Sequence, residues 1–141
     1  MKNNKKTIRT IIGAIIGFTA VFMAMQFVFK KPSLSQRLLE SATQINKQTP
    51  MKVDEFTQLD SAAVSPPDTF IYYYSLTDLT KNEIILDTIN KYVRPEIINN
   101  AKTNPEMQEL RELKVTLAYR YYDKEGAFVW ALDVTPDLYK L

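Results

Sequence analysis

The chain of 141 residues contains no cysteine and no histidine. Without cysteine there is no thiolate nucleophile and no disulfide to stabilise a small domain, so the fold must depend on its hydrophobic core. Without histidine there are no Ser-His or Cys-His pairs, and the ligands that zinc prefers are missing. We therefore predict a protein that is not an enzyme, with no catalytic residues, no cofactor-binding residues and no metal site.

Glycine is also scarce, since the three glycines lie at positions 13, 17 and 126. No glycine-rich phosphate-binding loop can be built from residues so far apart. Gly13 and Gly17 instead form a G-x-x-x-G pattern, which Ala20 and Ala24 extend into a face of small side chains. Such a face lets two membrane helices approach closely, so these four residues are a candidate face for a homodimer.

The balance of charge changes along the chain. The whole sequence has a net charge of +2, but residues 33–141 hold 12 Lys and Arg against 16 Asp and Glu, a net charge of −4. The basic excess therefore belongs to the first 31 residues. Because the remaining chain has no basic patch, nucleic acid is not an expected partner.

Residues 10–29 form the one long apolar run, 20 residues without a formal charge. As a helix the run would be about 30 Å long, the thickness of a bilayer core. A cleavable signal peptide is the alternative, but its apolar region is shorter and ends in a small-x-small site. Cleavage after Ala24 would place Phe22 where a small residue is needed, so we favour an uncleaved transmembrane helix.

The flanking cations predict the orientation of this helix. Four cations precede the run within residues 1–9, and only Lys30 and Lys31 follow it. By the positive-inside rule, residues 1–9 are a cytoplasmic tail and residues 33–141 form a domain outside the cytoplasm. The sequence thus predicts a single-pass protein of the inner (cytoplasmic) membrane.

Helical and strand periodicities alternate through the outer domain, which predicts an α+β fold. We expect an antiparallel four-stranded sheet packed against helices, in the order α-β-β-α-α-β-β. Capping boxes at Ser33 and Thr80 begin two of the helices, and Pro95 should kink or break the second of them. The predicted helices cover about 34–47, 81–101 and 104–113, and the predicted strands cover 51–64, 69–76, 114–122 and 127–135.

Tyrosines cluster in two of these strands, in "FIYYYSL" at 70–76 and "YRYY" at 119–122. Alternation places Tyr72 and Tyr74 on one face of the sheet and Tyr73 on the other. In the second cluster it places Tyr119 and Tyr121 on one face, and Arg120 and Tyr122 on the opposite face. Tyrosine is a strong strand former, so these rings can be simple sheet cover. It is also enriched at interfaces, so Tyr73, Arg120 and Tyr122 are the candidate partner surface.

The carboxylates give a weaker pattern. Asp54 and Asp60 would share a face only in a regular strand, and no calcium-loop motif is present. Solvated strand charges that discourage edge-to-edge aggregation explain them equally well.

Two segments, residues 46–60 ("NKQTPMKVDEFTQLD") and 104–126 ("NPEMQELRELKVTLAYRYYDKEG"), resemble an uncharacterised family of small bacterial proteins. The resemblance implies an N-terminal anchor or signal followed by one α+β domain, and it implies no known activity. Many members carry a cysteine just before the "NPEM" segment, where this chain has Asn-Asn-Ala-Lys, so a disulfide that is usual there would be absent here.

Together these features predict a membrane-anchored, non-catalytic accessory or protein-interaction module of the bacterial envelope. Its expected partners are the membrane, other envelope proteins and a second copy through the membrane helix. Two alternatives stay open. An immunity or exclusion protein would show an acidic patch for a basic toxin, and an envelope enzyme would need a deep pocket with convergent carboxylates.

Overall fold

The computed structural model describes residues 32–140, which form a mixed sheet with helices packed on one face. The strands are β1 (Met51–Lys52), β2 (Thr57–Ser65), β3 (Thr69–Leu76), β4 (Thr116–Tyr122) and β5 (Phe128–Val134). The helices are α1 (Leu34–Gln48), α2 (Leu86–Thr88), α3 (Arg94–Thr103), α4 (Gln108–Glu112) and α5 (Pro136–Tyr139). Single 3₁₀ turns lie at Lys81–Glu83 and Pro105–Met107, and a π turn lies at Ile89–Val93.

The five strands lie in sequence order, β1-β2-β3-β4-β5. The α+β class is confirmed, but the antiparallel four-stranded sheet is wrong in two respects. A short strand, β1, adds a fifth member by pairing with β2, and β3 pairs with β4 in parallel. Parallel neighbours need a long crossover, and here the helical segments between β3 and β4 supply it.

The core lies between the helices and one face of the sheet. Alternation along β3 buries Phe70, Tyr72, Tyr74 and Leu76, while the residues between them are half-buried. The buried side chains of α1, α3 and α4 pack against these residues in one hydrophobic cluster. Full burial of large apolar side chains contributes about 1.5–3 kcal/mol each, so this layer holds the fold together without a disulfide.

Helix α1 begins at the predicted capping box. The N–H of Gln36 donates to Ser33 Oγ at 3.3 Å, and the N–H of Ser33 donates to Gln36 Oε1 at 3.0 Å. These bonds satisfy two amides that the start of a helix would leave without a partner. The apolar stripe of α1 then packs against β2, as its spacing predicts.

The continuous helix predicted over residues 81–101 is wrong in its first five residues, since the helical segment begins at Leu86. At the Thr80 box, the Thr80 N–H donates to Glu83 Oε2 at 2.7 Å, but only a 3₁₀ turn follows before the chain becomes extended again. The expected disturbance at Pro95 is confirmed, since the π turn Ile89–Val93 ends directly before the Arg94–Thr103 helix. Proline offers no N–H and its ring clashes with the carbonyl four residues earlier, so the helix widens there.

Two β-bulges shift the register of the sheet. Asp60 is the extra residue in β2, and Val129 is the extra residue in β5. Regular alternation along residues 127–135 predicts that Phe128 and Trp130 share a face, and the second bulge shows that this is wrong. Phe128 pairs with Tyr122, whereas Trp130 pairs with Tyr121, so the two side chains lie on opposite faces.

Within residues 32–140, no helix combines the length and the hydropathy that crossing a bilayer requires. The predicted cytoplasmic tail 1–9 and transmembrane helix 10–29 lie outside the described residues.

Candidate functional site

Within residues 32–140, the helices leave one face of the sheet uncovered, which we call the open face. Its side chains alternate with those of the core, and none of them belongs to the hydrophobic cluster under the helices. Eight of its fifteen members are small side chains, namely alanine, serine or threonine. Its members on the four long strands are Gln58, Ser61, Ala63, Ser65, Thr69, Ile71, Tyr73, Ser75, Thr116, Ala118, Arg120, Tyr122, Phe128, Ala131 and Asp133.

Three rings cross the open face from β3 to β5, and we call them the aromatic row: Tyr73, Tyr122 and Phe128. The ring centroids of Tyr73 and Tyr122 are 6.3 Å apart, and those of Tyr122 and Phe128 are 5.9 Å apart with the rings edge to face. Phe128 is 47% exposed, and both tyrosines are half-buried. Because the rings support one another, they present a continuous apolar strip at a low cost in side-chain entropy.

An ion pair lies beside the aromatic row. Arg120 Nη1 donates to Asp133 Oδ1 at 2.6 Å and to the backbone oxygen of Tyr119 at 3.0 Å. The side chains of Arg120 and Asp133 are 26% and 53% exposed, so the pair is open to solvent and contributes little to stability. The two hydrogen bonds do fix the position of the guanidinium on the open face, where a partner can reach it.

The structure therefore places the three residues of the candidate partner surface side by side. Tyr73 and Arg120 are register partners in β3 and β4, and Tyr122 follows two positions later on the same face. Their role in binding stays a prediction. Sequence reasoning missed Phe128 and Asp133 as neighbours, because the Val129 bulge that sets the faces of β5 has no local signal in the sequence.

The other tyrosines of the two clusters belong to the core. The rings of Tyr72 and Tyr119 stack at 5.4 Å, and those of Tyr74 and Tyr121 stack at 5.0 Å. All four are buried under the helices, and burial raises the pKa of each phenol. They remain neutral at physiological pH and pack in the core. Four of the six tyrosines in "FIYYYSL" and "YRYY" are therefore core residues and not part of a binding surface.

The two carboxylates of the irregular strand serve local structure. Asp54 Oδ1 accepts hydrogen bonds from the N–H groups of Phe56 at 2.7 Å and Thr57 at 2.8 Å, and burial raises the pKa of this carboxyl. Asp60, at the bulge, accepts instead from the hydroxyl of Ser75. Across residues 32–140 no group of acidic side chains is placed to hold a metal ion.

An open pocket of about 620 Å³ lies between α4 and α5. Three of its lining side chains are cationic, and Glu112 is the one carboxylate among them. Glu112 accepts a hydrogen bond from Gln108 at 2.8 Å, and Tyr139, also in the lining, donates from its hydroxyl to the oxygen of Val115 at 2.8 Å. Burial raises the pKa of Tyr139 to about 12. This lining does not bring carboxylates together for acid–base catalysis.

The candidate dimer face, Gly13, Gly17, Ala20 and Ala24, lies outside the described residues. It stays a prediction.

The family model described as "Domain of unknown function (DUF8479)" matches residues 33–129. This confirms the resemblance to an uncharacterised family. No curated protein matches the sequence.

Three solved structures share the fold. A candidate secreted protein from Pseudomonas aeruginosa has 17% sequence identity and a TM-score of 0.64, over 76% of this chain and 93% of that one. The pilotin EpsS of the Vibrio vulnificus type 2 secretion system has 8% identity and a TM-score of 0.61, over 77% and 93% of the chains. The type II secretion pilotin AspS of Vibrio cholerae has 10% identity and a TM-score of 0.56, over 74% and 91%. At these identities the likeness concerns the fold.

Proposed function

The chain belongs to the DUF8479 family, a domain of unknown function, and we propose that it is a non-catalytic accessory protein of the bacterial envelope that binds another envelope protein through the open face. Residues 10–29 would anchor it in the inner membrane, with the tail 1–9 in the cytoplasm and the α+β domain outside. Pairing of the Gly13 and Gly17 faces would bring two copies together in the bilayer.

The observation that carries this proposal is the aromatic row on an uncovered sheet face. A sheet with one face buried by helices can leave the other to water, but polar side chains are then expected on that face. Here Tyr73, Tyr122 and Phe128 lie in contact there, surrounded by small residues and flanked by the Arg120–Asp133 pair. Aromatic and arginine side chains are the residues that are enriched at protein interfaces.

The shared fold supports the same class of function. Two of the three similar structures are pilotins of type 2 secretion systems, which are parts of an envelope assembly. Since a fold can host unrelated functions, the partner surface has to be argued from this chain's own residues.

No specific observation favours either alternative, the immunity or exclusion protein or the envelope enzyme. Three of the seven residues that line the pocket between α4 and α5 are cationic and one is a carboxylate, which does not fit an enzyme with paired carboxylates. An immunity protein would need a dense acidic patch, whereas the open face holds Asp133 already paired with Arg120.

The proposal is tested by copurification of the full-length protein from detergent-solubilised membranes. We expect Tyr73→Ser with Tyr122→Ser to reduce the amount of the main copurifying envelope protein at least about tenfold, since interface hot spots typically contribute 2 kcal/mol or more. Tyr92→Ser is the control, because Tyr92 is a tyrosine that is 49% exposed and lies away from the sheet.

If the double variant keeps its partner, the open face is not the binding surface. If Tyr92→Ser loses the partner as well, the loss is not specific to the open face, which also contradicts the proposal. Circular dichroism of both variants must show the same unfolding temperature as the parent, so that a loss of binding reports the surface and not the fold.

A further inference from the structure

The two edges of the sheet differ in whether their backbone groups have hydrogen-bond partners. At the first edge, β1 pairs with part of β2, and the side chain of Asn46 takes the place of a neighbouring strand further along. Asn46 Nδ2 donates to the oxygen of Ala62 at 2.8 Å, and the N–H of Ala62 donates to Asn46 Oδ1 at 2.7 Å. At the second edge, β5 pairs with β4 and has no further strand beside it within residues 32–140.

An unpaired edge strand is a template for another extended chain, and proteins that do not use it usually blunt it. Strand β5 has seven residues, and the five beyond the bulge at Val129, residues 130–134, form a regular edge that can make a ladder with a peptide. The side chains of β5 also define which kind of peptide could pair with this edge. Trp130 points to the helical side and donates from Nε1 to Asn90 Oδ1 at 3.1 Å, whereas Phe128, Ala131 and Asp133 point to the open side.

We propose that the β5 edge accepts an extended segment of a partner protein as a sixth strand, with an apolar side chain beside Phe128 and a lysine or arginine beside Asp133. The inference deepens the proposed function and rests on it, since it specifies how the partner reaches the open face. The added strand would extend the aromatic row by one position.

The basic residue follows from the charge at this edge. Asp133 is 53% exposed even though Arg120 bonds its Oδ1, so a second cation can approach the same carboxylate. Residues 33–141 also have a net charge of −4, which favours a basic segment during the encounter. On the open side Phe128, Ala131 and Asp133 occupy three successive positions of one face, so the partner segment should read apolar-x-small-x-basic in one of the two directions.

The same carboxylate argues against a second copy of this chain as the occupant. If residues 130–134 paired antiparallel with themselves, Asp133 of each copy would lie opposite Ala131 of the other. The two carboxylates would then be diagonal neighbours on one face, about 7 Å apart, where like charges repel. Asp133 thus opposes self-pairing while it favours a basic segment, which is how a binding edge gains specificity.

The test uses full-length protein in detergent micelles and two synthetic nine-residue peptides with blocked ends. In the first, Phe, Ser and Arg occupy alternate positions and Thr and Val fill the others; in the second, Glu replaces Arg. We expect the first peptide to slow hydrogen exchange of the β5 amides, and the second to bind about fivefold more weakly. Exchanging the charge with Asp133→Lys should reverse this preference, and Asp133→Asn should remove it.

Three outcomes would overturn the inference. The first is binding of the Arg peptide without slower exchange in β5, and the second is a preference that Asp133→Lys leaves unchanged. The third is protection of β5 that grows with protein concentration and needs no peptide, which would mean that a second copy occupies the edge. If Asp133→Lys fails to fold, the loss of preference in Asp133→Asn decides the question alone.

The peptide assay and the copurification assay test this inference and the proposed function separately. Tyr92→Ser, at an exposed tyrosine outside the sheet, is the control that should leave peptide binding unchanged. If the peptides fail but the Tyr73/Tyr122 double variant still loses its partner in membranes, the edge inference is wrong and the proposed function stands. If the peptides bind at β5 while that double variant keeps its partner, the open face is not the binding surface.

Discussion

Asp123 organises the hairpin between β4 and β5 through both oxygens of its carboxylate. Oδ1 accepts from the N–H groups of Glu125 at 2.9 Å and Ala127 at 2.8 Å, and Oδ2 accepts from the N–H of Lys81 at 2.8 Å. The residue is only 3% exposed, and these bonds, that from Lys81 first, lower the pKa of its carboxyl. One side chain thus shapes the turn and ties it to the segment after β3.

The lowered pKa predicts how Asp123 affects stability as pH changes. A carboxyl whose pKa is lower in the folded state stabilises the fold above its unfolded pKa of about 4, and this contribution is lost as pH falls through the folded pKa. Asp123→Asn should therefore lower the free energy of unfolding at pH 7, and its difference from the parent should shrink towards pH 3. Urea unfolding followed by the fluorescence of Trp130, the one tryptophan, measures this.

Asp78→Asn is the matched control, because Asp78 is an exposed aspartate in the loop after β3. It should change stability little at either pH. A difference between Asp123→Asn and the parent that stays the same from pH 7 to pH 3 would contradict this role for the carboxylate.

The residue scale also shows how far alternation can predict a site. The pattern of "FIYYYSL" separates Tyr73 from Tyr72 and Tyr74, and the structure confirms this separation, since Tyr73 alone among them faces away from the helices. Alternation identifies a face, but it does not say which face the helices cover. That depends on contacts of α1, α3 and α4 that are distant in sequence.

At the scale of elements, helix α4 ends in a Schellman motif with an unusual residue. The N–H of Val115 donates to the oxygen of Leu110 at 3.0 Å, and the N–H of Lys114 donates to the oxygen of Arg111 at 3.1 Å. Lys114 has a φ of 56°, the left-handed conformation for which glycine is preferred. Its exposed side chain does not compensate for this strain, so the motif is less stable than its hydrogen bonds would allow.

Lys114→Gly should raise the free energy of unfolding by about 0.5–1 kcal/mol relative to Lys114→Ala. The comparison with alanine matters, because both variants lose the charge of lysine near the end of the helix. The expected difference is the cost of a positive φ for alanine minus the greater loss of conformational entropy of glycine on folding. Denaturant unfolding of both variants measures the difference. An alanine variant as stable as the glycine variant would mean that the backbone at residue 114 is not strained.

Element boundaries were predictable where a local hydrogen bond defines them. Ser33 and Gln36 mark the start of α1, and Gly126, with a φ of 82°, marks the turn that its sequence predicts. The Thr80 box has the same chemistry, but the helix it predicts does not continue, since Ile84 and Ile85 have extended backbone and the next helix begins at Leu86. A capping box stabilises a first turn and does not ensure the turns beyond it.

At the scale of the whole molecule, the described domain is joined to a predicted membrane anchor. The proposed function places the domain outside the cytoplasm, so alkaline phosphatase fused after Leu141 should be active and β-galactosidase fused there should not. Changing the four cations of residues 1–9 to glutamine should reduce this difference or reverse it, since Lys30 and Lys31 would then dominate. An active β-galactosidase fusion of the unchanged chain would contradict the orientation.

The sequence by itself determined the class of the fold, the strand 69–76, the start of α1 and the division of the tyrosines between two faces. Each of these follows from a periodicity or a hydrogen bond between residues close in the chain. Only the tertiary structure decided that β3 pairs with β4 in parallel, that bulges at Asp60 and Val129 shift the register, and that Phe128 completes the aromatic row. These features depend on residues more than 40 positions apart or on a register that two strands set together, so no local pattern encodes them.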